Sequence, residues 1–418
     1  MRYFPGYSAL SIYECCFLLP EAIRAKLNST PRPIEIISKR EGRVICVEKA
    51  FCKGRKALDL VRRFSTTPIP GAPAEWDDTL GVCLDLEWYN QPPDSPVKII
   101  NECSLAVSPM KKLRDCKSQS DSGDLIRNFA VYYIPIVEMC HMRNKGKDKS
   151  GIPFDHSEPN PKFCQTRFVT KSAAQAVLVK FLGFQRCDDG SKRPVIFFGQ
   201  GLNNYERQLE QQWGLNTTKL YSVVLTIRSL RALASHAGTV AAPDKERGKS
   251  LPRFVELLRG LQVNTTSIWM HSSSNDAVYG MTLFFFVVLF PVLYLGAPPD
   301  QFPWDCTIAG RSIHAIWTDL AEEKKTIPPQ TWGTAQFCWY CEKADVHYAN
   351  ACHVKETIEC DICAKAPGPE NKRFRSKQYR FGHQTSRCTR SVQAQHSTPA
   401  CIYYGQPRPR RAACCLSS

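Results

Sequence analysis

The feature that most restricts how this chain can fold is an uncharged stretch in its second half. Residues 277–297 contain no Asp, Glu, Lys or Arg, and a stretch of this length is long enough to cross a bilayer. It contains Gly280 and Pro291, however, and it directly follows Asp276, a candidate site residue. These features favour a buried closing helix over a membrane span. A third interpretation is that part of the stretch is aberrant sequence from an error in gene prediction.

The composition is that of a globular, basic protein with many cysteines. The 418 residues suffice for two or three domains, and 43% hydrophobic with 22% charged residues excludes a mainly disordered chain. A net charge of +16 and a pI near 9.1 favour polyanionic partners, either nucleic acid or an acidic membrane surface. Glu14 and Glu21 interrupt the apolar stretch near the start, which argues against a signal peptide. We therefore expect the 20 cysteines to lie in a reducing intracellular compartment, the nucleus or the cytoplasm.

Apolar patterns predict an α/β domain with a mixed sheet. The predicted elements are strands at 81–88, 99–107, 131–139 and 195–198, and helices after Thr170, near 204–213 and after Ser250. The first three strands are joined by loops, as in an antiparallel meander. Strands followed by alternating strands and helices are typical of an α/β fold whose mixed sheet is flanked by helices.

Two acidic residues lie two positions apart on the first predicted strand. Asp85 and Glu87 therefore point to the same face of it. Unpaired carboxylates on a buried face are costly, and a divalent cation removes that cost. Oxygen ligands suit Mg²⁺ or Mn²⁺, and two such ions can activate water and stabilise the leaving oxygen in phosphodiester hydrolysis. The alternative is an edge strand with one solvated face.

A second pair of candidate residues precedes the uncharged stretch. Ser274 or Asn275 can cap the helix that follows, which places Asp276 at its start. Neutral His271 on the preceding loop would then lie beside the same site, where it could take a proton from an attacking water. A surface loop or a simple helix cap is the alternative for this pair.

The order of these motifs resembles that of the DEDDh exonucleases of the ribonuclease-H-like superfamily. More closely, the chain resembles a fungal family related to the yeast "good for full activity" suppressor of a DEAD-box mRNA-export helicase. The resemblance runs from Trp76 to about Leu289 and rests on the stretches Leu84-Asp-Leu-Glu-Trp88, Ile100-Asn-Glu-Cys-Ser-Leu-Ala-Val107, Val137-Glu-Met-Cys-His-Met-Arg-Asn144, Val195-Ile-Phe-Phe-Gly199 and His271-Ser-Ser-Ser-Asn-Asp-Ala277. It implies a ribonuclease-H-like fold and 3′–5′ exonuclease activity on nucleic acid. The implied Mg²⁺ or Mn²⁺ ligands are Asp85, Glu87 and Asp276, and the implied general base is His271.

One position departs from the pattern that the resemblance implies. The third acid of the superfamily would fall at or near Tyr205, and the neighbouring Glu206 is the candidate substitute as a catalytic residue. One residue along a helix rotates a side chain by about 100°, so the substitution would alter the geometry. Leu225 and Thr226 also stand where related nucleases have a strand-end Asp-Thr. Two functions stay open: an active exonuclease acting on RNA, and a catalytically degenerate RNA-binding adaptor in mRNA processing or export.

The C-terminal part carries two sets of cysteine and histidine at metal-ligand spacing. Each set begins with Cys-x2-Cys and ends with His-x4-Cys, and its three thiolates and one imidazole suit a closed, structural Zn²⁺ site. The first set is one residue longer than a CCHC zinc knuckle, and the second contains a long insertion. Free thiols in a cysteine-rich tail are the alternative. The expected zinc ligands are Cys338, Cys341, His347 and Cys352 in the first set, and Cys360, Cys363, His383 and Cys388 in the second.

Aromatic and basic residues are interleaved with these ligands. Trp339, Tyr340 and Tyr348 lie in the first set, and the basic segment 372–380 lies in the insertion of the second. Phosphate contacts combined with base stacking suit single-stranded nucleic acid, and a solvated loop is the alternative. CCHC knuckles resemble known binders of RNA and single-stranded DNA, so single-stranded RNA is the expected partner.

These expectations divide the chain into five segments. A proline-rich stretch before position 75 and a proline-containing connector mark two of the boundaries. The expected segments are an N-terminal region of unknown function at 1–75, the ribonuclease-H-like domain at 76–297, a linker at 298–330, tandem zinc knuckles at 331–390 and a disordered tail at 391–418.

Overall fold

The computed structural model describes the central part of the chain and the first part of the cysteine-rich region. The described residues are 78–89, 98–116, 121–142, 163–183, 194–217, 223–239, 252–263, 272–293 and 332–365, with 58, 61, 161, 265, 315, 319, 385, 388, 400–401 and 406–407. Several predictions concern residues outside this set: His271, His383, the helix start at Ser250, the basic segment 372–380, and most of the segments 1–75, 298–330 and 391–418.

A mixed five-stranded sheet forms the centre of the described fold. Its strands are β1 (Leu80–Tyr89), β2 (Ile99–Pro109), β3 (Ala130–Pro135), β4 (Val195–Phe198) and β5 (Val223–Ile227), in the spatial order β3-β2-β1-β4-β5. The pairs β1/β2 and β2/β3 are antiparallel, whereas β1/β4 and β4/β5 are parallel. This sheet confirms the predicted α/β fold, and its mixed topology agrees with the expected ribonuclease-H-like architecture.

Helices cover both faces of the sheet. They are α1 (Lys112–Asp115), α2 (Asp121–Arg127), α3 (Lys171–Gly183), α4 (Leu202–Trp213), α5 (Leu230–His236), α6 (Phe254–Gly260), α7 (Ser273–Val288) and α8 (Phe290–Leu293). Successive residues of β1 alternate between the faces. Leu84 and Leu86 pack in one core cluster with α3 and α4, whereas Cys83 packs in the other with α5, α6 and α7. Side chains at Asp85 and Glu87 therefore point to the α7 side.

Helix α7 contains the first part of the uncharged stretch and is buried in the core. It packs against β1 and β2, and Phe284 stacks on Phe198 with ring centroids 4.0 Å apart. Gly280 permits this approach, since a Cβ atom there would lie 2.6 Å from Sγ of Cys83. Among the described residues, no helix combines the length and the apolar character that a membrane crossing requires.

The observed elements differ from the predicted ones in several places. The third strand ends at Pro135 rather than Met139, because the amides of Met139 and Cys140 donate to the carbonyl of Ile136 and turn the chain. Helix α6 begins at Phe254, later than predicted. Strand β5 and the short helices α1, α2 and α5 were not predicted. Thr170 accepts a hydrogen bond from the amide of Ala173 at 3.3 Å, which confirms the predicted start of α3.

Candidate active site and metal clusters

Two acids lie near the end of β1, at a place where the neighbouring strand β4 no longer pairs with it. Strand β4 pairs with β1 only as far as Cys83, which lies opposite Phe198. Asp85 and Glu87 lie beyond the end of that pairing, on the same face of the strand. The side chain of Asp85 is 7% exposed, whereas Glu87 is half-buried. The strand thus holds one carboxylate in the interior and presents the next one closer to solvent.

The first turn of α7 brings a third acid to the same place. The helix begins at Ser273 with Ser272 at the N-cap, so the predicted caps Ser274 and Asn275 already lie within the helix. Oγ of Ser273 lies 2.7 Å from Oγ of Ser104 on β2, a contact that fixes the start of the helix against the sheet. Asp276 falls in the first turn and is half-buried.

Three carboxylates converge into one cluster. One ligand oxygen from each of Asp85, Glu87 and Asp276 lies within 4.8 Å of the other two. Oxygens bound to a single Mg²⁺ at about 2.0–2.1 Å would be at most roughly 4.2 Å apart, so a small adjustment of side chains would bring all three to one ion, with water at its remaining positions. The arrangement and the all-oxygen donor set therefore fit a small divalent cation.

The electrostatics of the cluster favour a bound cation. Burial raises the pKa of Asp85 well above its ordinary range, and the negative charges of Asp276 and Glu102 raise it further, against the opposing hydrogen bond from Tyr205. Burial likewise raises the pKa of the nearby Cys83 thiol, with contributions from Asp85 and Asp276. A cation beside these oxygens would relieve the repulsion that raises the pKa.

Glu102 is an acidic neighbour that the sequence analysis missed. It lies directly opposite Glu87 in the β1/β2 register and is 4% exposed. Cross-strand partners share a face of the sheet, so its charge lies close to the cluster and acts on Asp85. Glu102 lies within the second predicted strand. Aligning that strand with the first would have placed it beside Asp85 and Glu87.

Tyr205 contacts the cluster directly. It lies at or near the position at which the resemblance implies a third acid. Its hydroxyl donates a hydrogen bond of 2.5 Å to Oδ1 of Asp85. The close contact of Gly199 with the carbonyl of Leu84 positions the start of α4 beside β1, since a Cβ atom at Gly199 would lie 2.6 Å from that oxygen. Tyr205 lies one turn into α4, and its side chain extends beyond the end of β4 to Asp85.

Glu206, the candidate substitute for that acid, lies outside the cluster. Its carboxylate accepts hydrogen bonds of 3.0 Å from Oγ1 of Thr217 and from Nε of Arg228. The turn of about 100° per helical residue separates it from the direction of Tyr205. Its predicted catalytic role stays a prediction. His271 immediately precedes Ser272 in the sequence but falls outside the described residues, so its role also stays a prediction.

The first cysteine-histidine set forms a compact group. The candidate ligand atoms of Cys338, Cys341, His347 and Cys352 all lie within 4.8 Å of one another. Sγ of Cys341 is 3.5 Å from Nε2 of His347. In a tetrahedral zinc site, with Zn–S near 2.3 Å and Zn–N near 2.0 Å, the sulfur–nitrogen separation is roughly 3.5 Å. Burial raises the pKa of the Cys338 thiol to about 11, and a bound metal ion would reverse that shift.

The second set is described in part. Sγ atoms of Cys360, Cys363 and Cys388 lie within 4.8 Å of one another, and those of Cys363 and Cys388 are 3.6 Å apart. Two sulfurs of a tetrahedral zinc site are about 3.8 Å apart. The amide of Asp361 donates to Oγ1 of Thr385 at 2.9 Å, which links the two ends of the set. The predicted fourth ligand, His383, falls outside the described residues.

Tyr348, which was predicted to offer a stacking surface for bases, is half-buried against the sheet domain, and its role toward bases stays a prediction. It packs against Phe168 with ring centroids 6.5 Å apart, and its hydroxyl donates to the carbonyl of Ala335 at 3.1 Å. Trp339 is half-buried in the same contact region, whereas Tyr340 lies beside Lys355, whose ammonium is 5.1 Å from the ring centroid. Tyr340 thus presents an aromatic ring next to a cation.

Comparison with known families supports a nuclease-type domain at the acidic cluster. Residues 80–287 match the profile of a family described as "DNA polymerase III subunit epsilon-like, C-terminal domain", of DEDDh type. The match begins at the first residue of β1 and ends within α7, so it contains all three clustered acids. A search among curated proteins found no match to this chain.

Proposed function

From the match of residues 80–287 to the DEDDh exonuclease family, we propose that this protein is a metal-dependent nuclease that removes nucleotides from the 3′ ends of single-stranded RNA. The observation that carries the proposal is the convergence of Asp85, Glu87 and Asp276, whose oxygens lie within 4.8 Å of one another. An acidic cluster that includes the buried Asp85 costs stability unless it binds a cation, and an acid set on a domain of this type is suited to phosphodiester hydrolysis.

The proposed roles follow from the positions of the side chains. Asp85 and Glu87 would hold Mg²⁺ or Mn²⁺ from the strand, and Asp276 would hold it from the helix. A divalent ion bound there would supply an acidified water and stabilise negative charge on the leaving oxygen. His271, next to the helix start in the sequence, is proposed as the base that accepts the proton of the attacking water. The Ser104–Ser273 contact keeps Asp276 at a fixed distance from the acids of β1.

Positive charge beside the cluster supports a polyanionic substrate. Lys98 lies over the ring of Trp88, the residue that follows Glu87, with its ammonium 4.4 Å from the ring centroid. The exposed Arg207 lies close enough for its charge to act on Lys98. Two neighbouring cations near the end of β1 suit contacts with the phosphates of a bound strand. The net charge of +16 acts in the same direction over longer distances.

The two cysteine-histidine sets are proposed as structural zinc sites that add contacts to RNA. The sulfur and nitrogen separations given above support tetrahedral Zn²⁺ coordination. Tyr340 with Lys355 offers a base-stacking surface next to a cation. RNA as the preferred substrate rests on this combination and on the resemblance of the sets to CCHC knuckles.

A cleavage assay tests the proposed activity. Purified zinc-loaded protein is incubated with Mn²⁺ and with single-stranded RNA, double-stranded RNA or single-stranded DNA, each labelled at the 5′ end. We expect progressive shortening of single-stranded RNA that is abolished by Asp85→Ala and by Asp276→Ala. Asp124→Asn is the matched control, because it removes an exposed carboxylate that pairs with Arg127. Absence of cleavage of every substrate would remove the enzymatic claim.

A second candidate function is a non-catalytic RNA-binding adaptor, and one contact favours it. The hydroxyl of Tyr205 already occupies Oδ1 of Asp85, which would weaken metal binding at that oxygen. The adaptor would bind RNA with an affinity that falls steeply with salt concentration and would leave the RNA intact in Mn²⁺. Tyr340→Ala combined with Lys355→Ala tests the zinc-site contribution, since unchanged RNA affinity in that variant would remove these residues from the binding surface.

A further inference from the structure

Tyr205 is buried at the acidic cluster, and the surrounding side chains hold it in place. The residue is 8% exposed, and its ring meets that of Trp88 edge to face with centroids 5.7 Å apart. It belongs to the core cluster that contains Leu202 and Leu209 of the same helix. Packing on several sides therefore leaves the hydroxyl one direction, toward Oδ1 of Asp85 at 2.5 Å.

The hydroxyl is committed as a hydrogen-bond donor to one of the three clustered acids, since it donates to Oδ1 of Asp85 at 2.5 Å. A neutral phenol is a poor ligand for Mg²⁺ or Mn²⁺, which prefer carboxylates and water. The side of Asp85 that faces α4 is consequently occupied by a donor rather than by a further ligand.

Glu206, the acidic residue next to Tyr205 on α4, does not supply a fourth ligand to the cluster. Glu206 is bound by Arg228 and Thr217 at 3.0 Å each. The described ligand oxygens therefore form a single group of three around one point, bounded on the α4 side by the tyrosine hydroxyl. In two-metal sites the ions lie about 3.5–4 Å apart, and a second ion on the α4 side of Asp85 would have to displace the tyrosine hydroxyl from Oδ1.

We infer that Tyr205 restricts the acidic centre to one divalent cation, bound by Asp85, Glu87 and Asp276. This inference rests on the metal-binding part of the proposed function and not on cleavage. The tyrosine has two effects. Its hydroxyl competes with the cation for Oδ1 of Asp85, and its ring fills the space in which a carboxylate could bind a second ion.

Counting bound ions tests the inference without any substrate. Zinc-loaded protein is titrated with Mn²⁺, and the ions that are lost on Asp85→Ala are counted by electron paramagnetic resonance and calorimetry. We expect one such ion in the wild type, one in Tyr205→Phe and two in Tyr205→Asp. Two ions in the wild type, none in the wild type, or a folded Tyr205→Asp with only one ion would each overturn the inference.

The conservative variant keeps the test decisive if Tyr205→Asp does not fold. Tyr205→Phe retains the ring against Trp88 and removes only the competing hydrogen bond, so we expect the affinity for the single Mn²⁺ to rise by roughly threefold to tenfold. Unchanged or weaker affinity would overturn the inference. Cleavage is measured separately: one Mn²⁺ in the wild type and two in Tyr205→Asp, with no cleavage of RNA, would remove the nuclease proposal and leave the inference standing.

Discussion

Phe168 and Thr334 lie far apart in the sequence, yet they exchange two backbone hydrogen bonds of 2.8 and 3.1 Å. The segment around Phe168 itself pairs with β3 through Tyr133 and Thr166, so the chain at Thr334 extends the edge of the sheet. Phe337 packs on Phe168 with ring centroids 5.9 Å apart. The first cysteine-histidine set is thus attached to the domain that contains the acidic cluster.

Loss of the first proposed zinc site should destabilise the whole domain. We expect Cys338→Ser to lower the zinc content from the two proposed ions per chain to one, and the residues that cover the sheet edge at Thr334 would lose their support. We expect the melting temperature to fall by roughly 4–8 °C, which corresponds to about 2 kcal/mol for a domain of this size. Zinc release measured with a chromogenic chelator and thermal unfolding followed by tryptophan fluorescence provide the check.

The second set offers the matched control for that prediction. Cys360→Ser should also remove one zinc ion, but it leaves the contacts of Phe337 and Tyr348 with Phe168 in place. Its melting temperature should therefore stay closer to that of the wild type. Equal losses in the two variants would contradict a specific role of the first set at the sheet edge.

The stability of the metal-free protein should depend on pH through Asp85. Because burial and neighbouring charges raise its pKa in the folded state, the folded protein binds this proton more tightly than the unfolded chain does. The associated stability is fully present below the unfolded pKa of about 3.9 and is lost as the pH rises through the folded pKa. Asp85→Asn lacks this loss, so its free energy of unfolding should exceed that of the wild type increasingly as the pH is raised.

Urea denaturation of metal-free protein at a series of pH values measures this difference. Added Mn²⁺ should restore the stability of the wild type at neutral pH and leave Asp85→Asn nearly unchanged, because binding to the folded state alone stabilises it. A difference between the two proteins that stays constant with pH would contradict the assignment of the effect to Asp85.

Glu206→Gln separates a structural role of this residue from a metal-binding one. The carboxylate pairs with the half-exposed Arg228 and with Thr217, so its loss should lower the free energy of unfolding by about 0.5–1 kcal/mol. Mn²⁺ affinity should change by less than about twofold, since the charge is directed toward Arg228. An affinity loss as large as that of Asp276→Asn would instead place Glu206 among the metal ligands. Calorimetric titration of the two variants side by side distinguishes these outcomes.

Local patterns in the sequence were sufficient to predict the sheet strands β1, β2 and β4 and the acid pair on β1. Strand alternation places Asp85 and Glu87 on one face regardless of the remaining fold. The prediction that Asp276 converges with these two acids depended on the order of the motifs, because no local pattern brings a helix start to a strand in the middle of the sheet. Glu102 was predictable only with the β1/β2 register in hand.

Contacts between distant segments could not be predicted from the sequence. Tyr205 and Glu206 are adjacent, and only the packing of α4 against β1 decides which of them faces Asp85. The sequence around Tyr348 does not distinguish between stacking on a nucleic-acid base and packing on Phe168. Its packing on Phe168 accompanies the pairing at Thr334, which joins segments that share no sequence pattern.

The close approach of α7 to β1 at Gly280 should be essential for the site. A Cβ atom there would lie 2.6 Å from Sγ of the buried Cys83 and 3.5 Å from Leu230, so Gly280→Ala must displace the helix or the strand. We expect a loss of about 1–3 kcal/mol in the free energy of unfolding. Asp276 lies one turn before Gly280 on the same helix, and the displacement should therefore also weaken Mn²⁺ binding.

Gly260→Ala, where an added Cβ meets no atom within 4 Å, is the control and should leave both quantities close to those of the wild type. Chemical denaturation and Mn²⁺ titration of the two variants measure the effects. Wild-type stability with wild-type Mn²⁺ affinity in Gly280→Ala would contradict the packing of α7 against Cys83 on which the position of Asp276 depends.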